Sequence, residues 1–246
     1  MSFNSRRAFV LARKELNSWL GSPAIYGITV FFLLFVSIWF YYLQRFFAMD
    51  TATLRPFFGA FPLAFIFVIP VLTMRAWAEE KKLGSVEILF TMPFTDWELV
   101  LGKFISCYTI VVCMVILTIP VPLSLLPLGS FEIGVILAEY AGALLLGAAA
   151  SALGLFLSGI SKNQAAAFVG SAVVLLAFST GLSMLANNLG DLPAGLTGFL
   201  YFFSLSYHFE SFSRGLLDSR DIAFFFITTI LFLFLNVQVL VYRRWK

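Results

Sequence analysis

The sequence predicts an all-α membrane protein. Six transmembrane helices are expected, with an interfacial helix ahead of them and an outer re-entrant segment before the last crossing. Three observations predict this. Hydrophobic residues make up 61% of the 246-residue chain and charged residues only 12%, a balance that does not suit a soluble domain of this size. The apolar residues fall into six runs, 23–43, 57–74, 104–128, 134–157, 165–186 and 222–242, and a helix needs about 20 such residues to cross roughly 30 Å of hydrocarbon. The runs are continuously apolar, whereas barrel strands are about ten residues long and alternate.

Basic residues set the expected orientation. Arg6, Arg7, Arg13, Lys14, Arg75, Lys81, Lys82, Lys103, Lys162, Arg243, Arg244 and Lys246 fall on one side, and Arg45, Arg55, Arg214 and Arg220 on the other. The richer side, with both termini, is expected in the cytoplasm. The net charge of +3 therefore reports topology. It does not point to nucleic acid, for which there is no basic patch with interleaved aromatics. No cleavable signal peptide is expected, because the first run is long and no small-x-small site follows it.

Segment 5–20 reads as an amphipathic helix, with Phe9, Ala12, Leu16, Trp19 and Leu20 on one face and Arg7, Lys14 and Ser18 opposite. Such a helix lies in the membrane interface. Ser22 and Pro23 suit the N-cap and first turn of the first span.

The connector 75–103 concentrates charge, with Glu79, Glu80, Lys81, Lys82, Glu87, Asp96 and Glu98 beside Leu83, Val86, Ile88, Leu89 and Phe90. One or two helices are expected, broken near Gly84, with a turn at Met92–Pro93. Thr95 and Glu98 form a capping-box pattern that starts the helix into the third span. A loop that only joined two spans could be far shorter. The segment suits docking into a groove on another protein, or it is a solvated surface loop.

Pro120, Pro122 and Pro127 predict a kink or unwound stretch at the outer end of the third span. Small residues recur four apart in the fourth and fifth spans, as at Gly147–Ser151, Ala150–Gly154 and Gly154–Ser158, with Ala165, Ala166, Ala167, Gly170 and Ser171 following. They allow close helix contact, within one subunit or between two. Glu139, the one acid clearly inside a span, is either a functional intramembrane group or, about five residues from the outer end, shallow enough to snorkel to the surface. Cys107 and Cys113 are about 240° apart on one helix, so they cannot pair within it and read as two buried thiols.

The outer connector 187–221 contains the apolar run 192–205, too short to cross and suited to a re-entrant or interfacial segment. Tyr207, His208, Glu210, Arg214, Asp218, Arg220 and Asp221 follow it. With no Cys or second His nearby, His208 reads as a hydrogen-bonded structural residue, and a metal site is not supported. No phosphate-binding loop is present; Gly154 to Gly159 runs into Ile160 at a membrane boundary. No Ser/His/Asp constellation exists either. The chain reads as non-enzymatic, with no cofactor of its own.

The stretch EEKKLGSVEILFTMPFTDWELVLGK after the second span resembles the first cytoplasmic loop of ABC-2 type permeases, also called type V ABC exporters. Glu79, Glu80, Glu87, Gly84, Pro93 and the pair Gly102–Lys103 match in kind and spacing. Within that family the chain is most similar to the gliding-motility-associated permease branch, through PVLTMR at 70–75 and SYHFESFSRGLLDSRD at 206–221.

The resemblance implies a coupling helix within 75–103 seated on a separate ABC ATPase, present in two copies and carrying ATP and Mg. Glu79, Glu80, Lys82 and Glu87 would supply electrostatic fit, and Leu83, Ile88 and Leu89 would fill the groove. It further implies a second cytoplasmic contact at Ser161, Lys162 and Asn163, a hairpin before the sixth span, and a second permease, the same chain or a related one. The expected setting is the bacterial inner membrane, multi-pass and in contact with lipid, with an amphipathic or lipid-like substrate moved by alternating access. The alternative is a mechanotransmission or assembly subunit linking the ATPase to a periplasmic auxiliary protein. No motility role follows from the likeness.

Overall fold

Apolar runs become helices because a backbone in hydrocarbon must satisfy its own N–H and C=O groups. The computed structural model describes residues 4–48, 53–82, 84, 94–188 and 194–244, which form helices and turns with no strand among them. In chain order the helices are α1 (Ser5–Leu20), α2 (Pro23–Ile38), α3 (Arg55–Phe58), α4 (Ala60–Lys82), α5 (Asp96–Ile116) and α6 (Pro120–Leu125). Then come α7 (Ile133–Ile160), α8 (Gln164–Leu176), α9 (Leu182–Asn188), α10 (Ala194–Phe203), α11 (Leu205–Ser213) and α12 (Ser219–Arg244). Short π-helical stretches extend α2 over Trp39–Leu43 and join α8 to α9 over Ala177–Gly181.

Among the described residues six rods are long and apolar enough to cross a membrane: Pro23–Ala48, Arg55–Lys82, Asp96–Leu128, Ile133–Ile160, Gln164–Asn188 and Ser219–Tyr242. Several outrun the apolar runs that predict them. The charged arms of the 75–103 connector continue the helices of their spans, with α4 running out to Lys82 and α5 starting at Asp96. A helix continues past the hydrocarbon wherever nothing stops it, and the stops here are Gly84, at φ +68, and the Thr95 cap. Pro120 begins the short helix α6 after a turn at Leu117–Ile119, so the predicted break at the proline cluster is present.

The second and fourth rods form the centre, with 72% of their apolar windows buried against 22% for the first and fifth. Small residues on α7 make this possible. A Cβ added at Gly154 would stand 2.5 Å from Thr73 Oγ1 on α4, and one at Gly147 would stand 2.8 Å from Val111 on α5. The predicted small-residue face of the fourth span thus packs inside the subunit. The face on the fifth span differs: Gly170 has nothing within 4 Å of an added Cβ, and Ala165 and Ala166 are exposed. Around the centre, Phe32 of α2 stacks on Phe65 of α4 with ring centroids 5.8 Å apart, and Phe58 meets Tyr140 edge-on at 4.8 Å.

Three expectations are corrected. The stripe on α1 divides: Ala12 and Trp19 pack inward with Ala8 and Leu11, whereas Phe9 and Leu20 are exposed. The buried positions 8, 11, 12 and 19 are the helical face that meets α5, where a Cβ on Gly102 would touch Leu11 Cδ2 at 2.8 Å. Glu139 does not reach outward; it is fully buried on α7, because its face of the helix turns toward the bundle. Cys107 is buried but Cys113 is exposed.

The outer segment before the last span is a helical hairpin. Helix α10 is followed by a break at Ser204, whose hydroxyl donates to the Ser179 carbonyl at 3.0 Å and accepts from the Tyr207 N–H at 3.4 Å. Ser179 sits in the π-helical stretch below α9. The hairpin therefore descends alongside the fifth rod, turns at that level and climbs back along α7, where Phe212 lies against Gly142.

Candidate coupling site

At the end of the bundle that carries both termini, the α4–α5 arms, α1 and the α7–α8 turn meet in one charged cluster. Its chemistry begins with two lysines. Lys81 is on the last turn of α4, and its Nζ donates to the carbonyl oxygens of Ser158 (3.1 Å), Ser161 (3.0 Å) and Gly159. The last carbonyls of a helix have no partner within it and carry the negative end of its dipole, so a cation is favoured there. Lys81 thus caps α7 from a different helix. One turn earlier, the Trp77 N–H donates to Ser158 Oγ at 3.2 Å, so α4 holds the end of α7 at two levels.

Lys103 is the second. It projects from the second turn of α5 and its side chain is only 2% exposed. Its ammonium lies 2.6 Å from Glu80 Oε1 and 3.2 Å from Glu15 Oε1, with the Trp77 ring centroid 4.9 Å away. A buried ammonium is tolerated only when paired, and this one ties α4, α5 and α1 together. Glu98 makes a further tie. Its carboxylate accepts from the Thr95 N–H (2.8 Å) and from the Asn4 N–H (2.7 Å), while Thr95 Oγ1 accepts from the Glu98 N–H (3.3 Å). The capping box read from the sequence is formed, and its acid also fastens the start of α1.

Beside this cluster lies a cavity of about 440 Å³ lined by Lys14, Glu15, Trp19, Arg75, Glu79 and Lys103, among others. Of the sequence-predicted coupling residues, Glu79 lines this cavity, Lys82 is exposed, and Gly84 follows in a turn. Glu80 is engaged within the chain by Lys103. Leu83, Glu87, Ile88, Leu89 and Pro93 lie outside the described residues. At the second predicted contact, Ser161 uses its carbonyl for Lys81 and its hydroxyl for Leu157 O at 2.7 Å. Lys162 is exposed, and the Asn163 side chain caps α8 by accepting from the Ala166 N–H at 2.7 Å. The two predicted contacts are thereby brought together through Lys81.

Sequence reasoning singled out neither Glu15 nor the partnership of Lys81 and Lys103. A signal was present: Lys103 stands in an apolar stretch after Val100 and Leu101, and a cation there needs an anion from another segment. At the opposite end the predicted outer residues divide. His208 Nδ1 is 2.6 Å from Asp221 Oδ1, and its Nε2 is 3.0 Å from the Phe202 carbonyl oxygen. His208 is thus the hydrogen-bonded histidine that was expected. Glu210 and Arg214 pair on the surface at 2.9 Å. Tyr207 and Asp218 are exposed, and Asp218 Oδ1 accepts from the Arg220 N–H at 2.9 Å.

The comparison with curated proteins gave no match. A family model described as ABC-2 family transporter protein matches residues 23–240, a stretch that holds all six membrane-crossing rods nearly whole. Proteins of this family normally work with an ABC ATPase. The chain belongs to the ABC-2 transporter family and is a multi-pass transporter permease subunit.

Proposed function

We propose that this chain is driven by a separate ABC ATPase on which segment 83–93 docks, and that Lys81 carries the resulting motion into the bundle. The observation that carries the reading is the seat of the Lys81 ammonium on the carbonyl oxygens of Ser158 and Ser161. Any displacement of the end of α4 is felt at once by α7 and by the 161–163 turn. The Glu15–Lys103–Glu80 cluster extends the same connection to α1 and α5. Glu79 and Lys82, open at this end, supply charge for the ATPase surface, together with Glu87. Leu83, Ile88 and Leu89 supply the apolar part of the contact.

The assembly comprises two ATPase subunits that hold ATP and Mg, and two permeases, as a type V exporter of the bacterial inner membrane. Both termini lie in the cytoplasm, in keeping with the excess of Lys and Arg at that end. The exposed Ala165 and Ala166 and the uncrowded Gly170 on α8 suit close approach by the second permease. An amphipathic or lipid-like substrate fits walls dominated by Phe, Leu, Ile and Val, and alternating access between the two permeases moves it. The branch likeness to gliding-motility-associated permeases is part of this proposal, without a motility role.

A second reading, mechanotransmission without solute movement to a periplasmic auxiliary protein, draws support from the tight α4–α7 contact at Gly154 and Thr73, which makes the centre of the subunit a solid strut. The experiment is purification of the full complex in gentle detergent and its reconstitution in vesicles. The proposal expects an ABC ATPase in a fixed ratio to the permease and ATP-dependent redistribution of a labelled amphiphile. An ATPase that co-purifies without moving any amphiphile favours the second reading, and absence of an ATPase contradicts both.

A further inference from the structure

A cleft of about 800 Å³ opens between the outer hairpin and α12, at the end away from the termini. That volume is in the range of about 300–1,000 Å³ typical of small-molecule sites. Its lining is divided by chemistry. Ile227, Leu231 and Leu235 form one apolar strip along α12, four residues apart and so on one helical face, about 12 Å long. Phe178 and Leu153 lie across from them. The polar groups are gathered at the outer end, where α12 begins.

That outer end is built. His208 and Asp221 are each 7% exposed and are bonded to one another at 2.6 Å. The second imidazole nitrogen is on the Phe202 carbonyl, and the ring stacks on Phe224 with centroids 3.8 Å apart. The pair is a fixed floor with its hydrogen bonds already made. Two exposed charges stand above it, Arg220 and Asp218, and no ion pair between them is formed in the structure. One cation and one carboxylate at the mouth of an apolar strip are complementary to a head that holds both a phosphate and an ammonium. A purely anionic head would leave Asp218 facing like charge, and a purely cationic head would do the same to Arg220.

We infer that this cleft binds a zwitterionic phospholipid, with its phosphate at Arg220, its ammonium at Asp218 and an acyl chain along Ile227, Leu231 and Leu235. The inference rests on reading the chain as a bilayer-crossing permease and deepens it by naming a lipid class and its seat. It does not depend on the ATPase. The length of the strip directs the chain toward the bilayer middle.

The test uses the full chain, delipidated in detergent and titrated separately with phosphatidylethanolamine and phosphatidylglycerol of identical acyl chains, with bound lipid counted by native mass spectrometry. One phosphatidylethanolamine should be retained at least tenfold more tightly than phosphatidylglycerol. The preference should fall at least fivefold in Arg220→Gln and in Asp218→Asn, both at exposed positions, the second keeping a side-chain oxygen for the Arg220 N–H. Leu231→Trp, which fills the strip, should weaken both lipids, and Val30→Trp on the exposed face of α2 should change neither. Equal retention of the two lipids, or a preference unmoved by Arg220→Gln and Asp218→Asn, identifies ordinary annular lipid and overturns the inference. Because no nucleotide is present, that result would leave the ATPase-driven reading intact.

Discussion

The Lys103 ammonium lies 2.6 Å from the Glu80 carboxylate, and the lysine side chain is only 2% exposed. Two charges on neighbouring rods are therefore spent on each other at the end of the bundle that carries both termini. The pair ties α4 to α5.

Removing Lys103 takes the cation from Glu80 and from Glu15 together. Lys103→Met should lower stability by about 3 kcal/mol, toward the range for a broken buried pair. The double variant Lys103→Met with Glu80→Leu should recover part of that loss, since Glu15 still loses its cation. Thermal unfolding in detergent of the two single variants and the double variant measures it, and additive losses would show that the two side chains do not act as a unit.

Lys81 offers a separable test. Lys81→Met keeps the length of the stem and removes donation to the Ser158, Gly159 and Ser161 carbonyls. Helix α7 retains its packing against α4, α5 and α12, so the fold should persist. In the reconstituted complex basal ATP hydrolysis should remain while its stimulation by substrate falls several-fold. Stimulation at the wild-type level would remove Lys81 from the transmission path.

Glycine positions on the rods should separate cleanly. At Gly154 an added Cβ meets Thr73 Oγ1 at 2.5 Å, whereas at Gly170 it meets nothing within 4 Å. Gly154→Ala should cost about 1–3 kcal/mol through overpacking, and Gly170→Ala should leave the single subunit's unfolding temperature unchanged or raised. If Gly170→Ala instead weakens only the permease pair, the α8 face lies between subunits.

Glu98 holds two N–H groups, one on each side of the α1–α5 contact. Glu98→Ala should cost about 1 kcal/mol through the lost cap and should release the first residues of α1. Limited proteolysis should then cut ahead of Ser5 faster than in the unaltered protein, with the six rods intact.

The rods and their caps were legible because their causes are local. Twenty apolar residues in a row, Thr95 three residues before Glu98, and prolines at 120, 122 and 127 each act within a few residues of themselves. What was not legible depends on which face of one rod meets another. Glu139 is a shallow acid by position along its helix, yet its orientation around the helix buries it. Phe9 and Ala8 are both apolar neighbours, and only the docking of α1 on α5 decides that Ala8 is covered and Phe9 exposed. The charged cluster was half legible. Glu80 was flagged by charge density and Lys103 by the loop likeness, whereas Glu15 was not, and the pairing of Lys103 with both Glu15 and Glu80 joins segments 88 and 23 residues apart, which no local pattern records.

The central claim is that the arms ending at Lys82 and beginning at Asp96 present segment 83–93 to a nucleotide-hydrolysing partner. A photo-crosslinking amino acid placed at Glu87, and separately at Tyr207 on the outer hairpin, tests it in intact membranes. The account predicts an adduct with an ABC ATPase from position 87 and none from position 207. An ATPase adduct from 207, or its absence at 87 and at the neighbouring position 83, would contradict it.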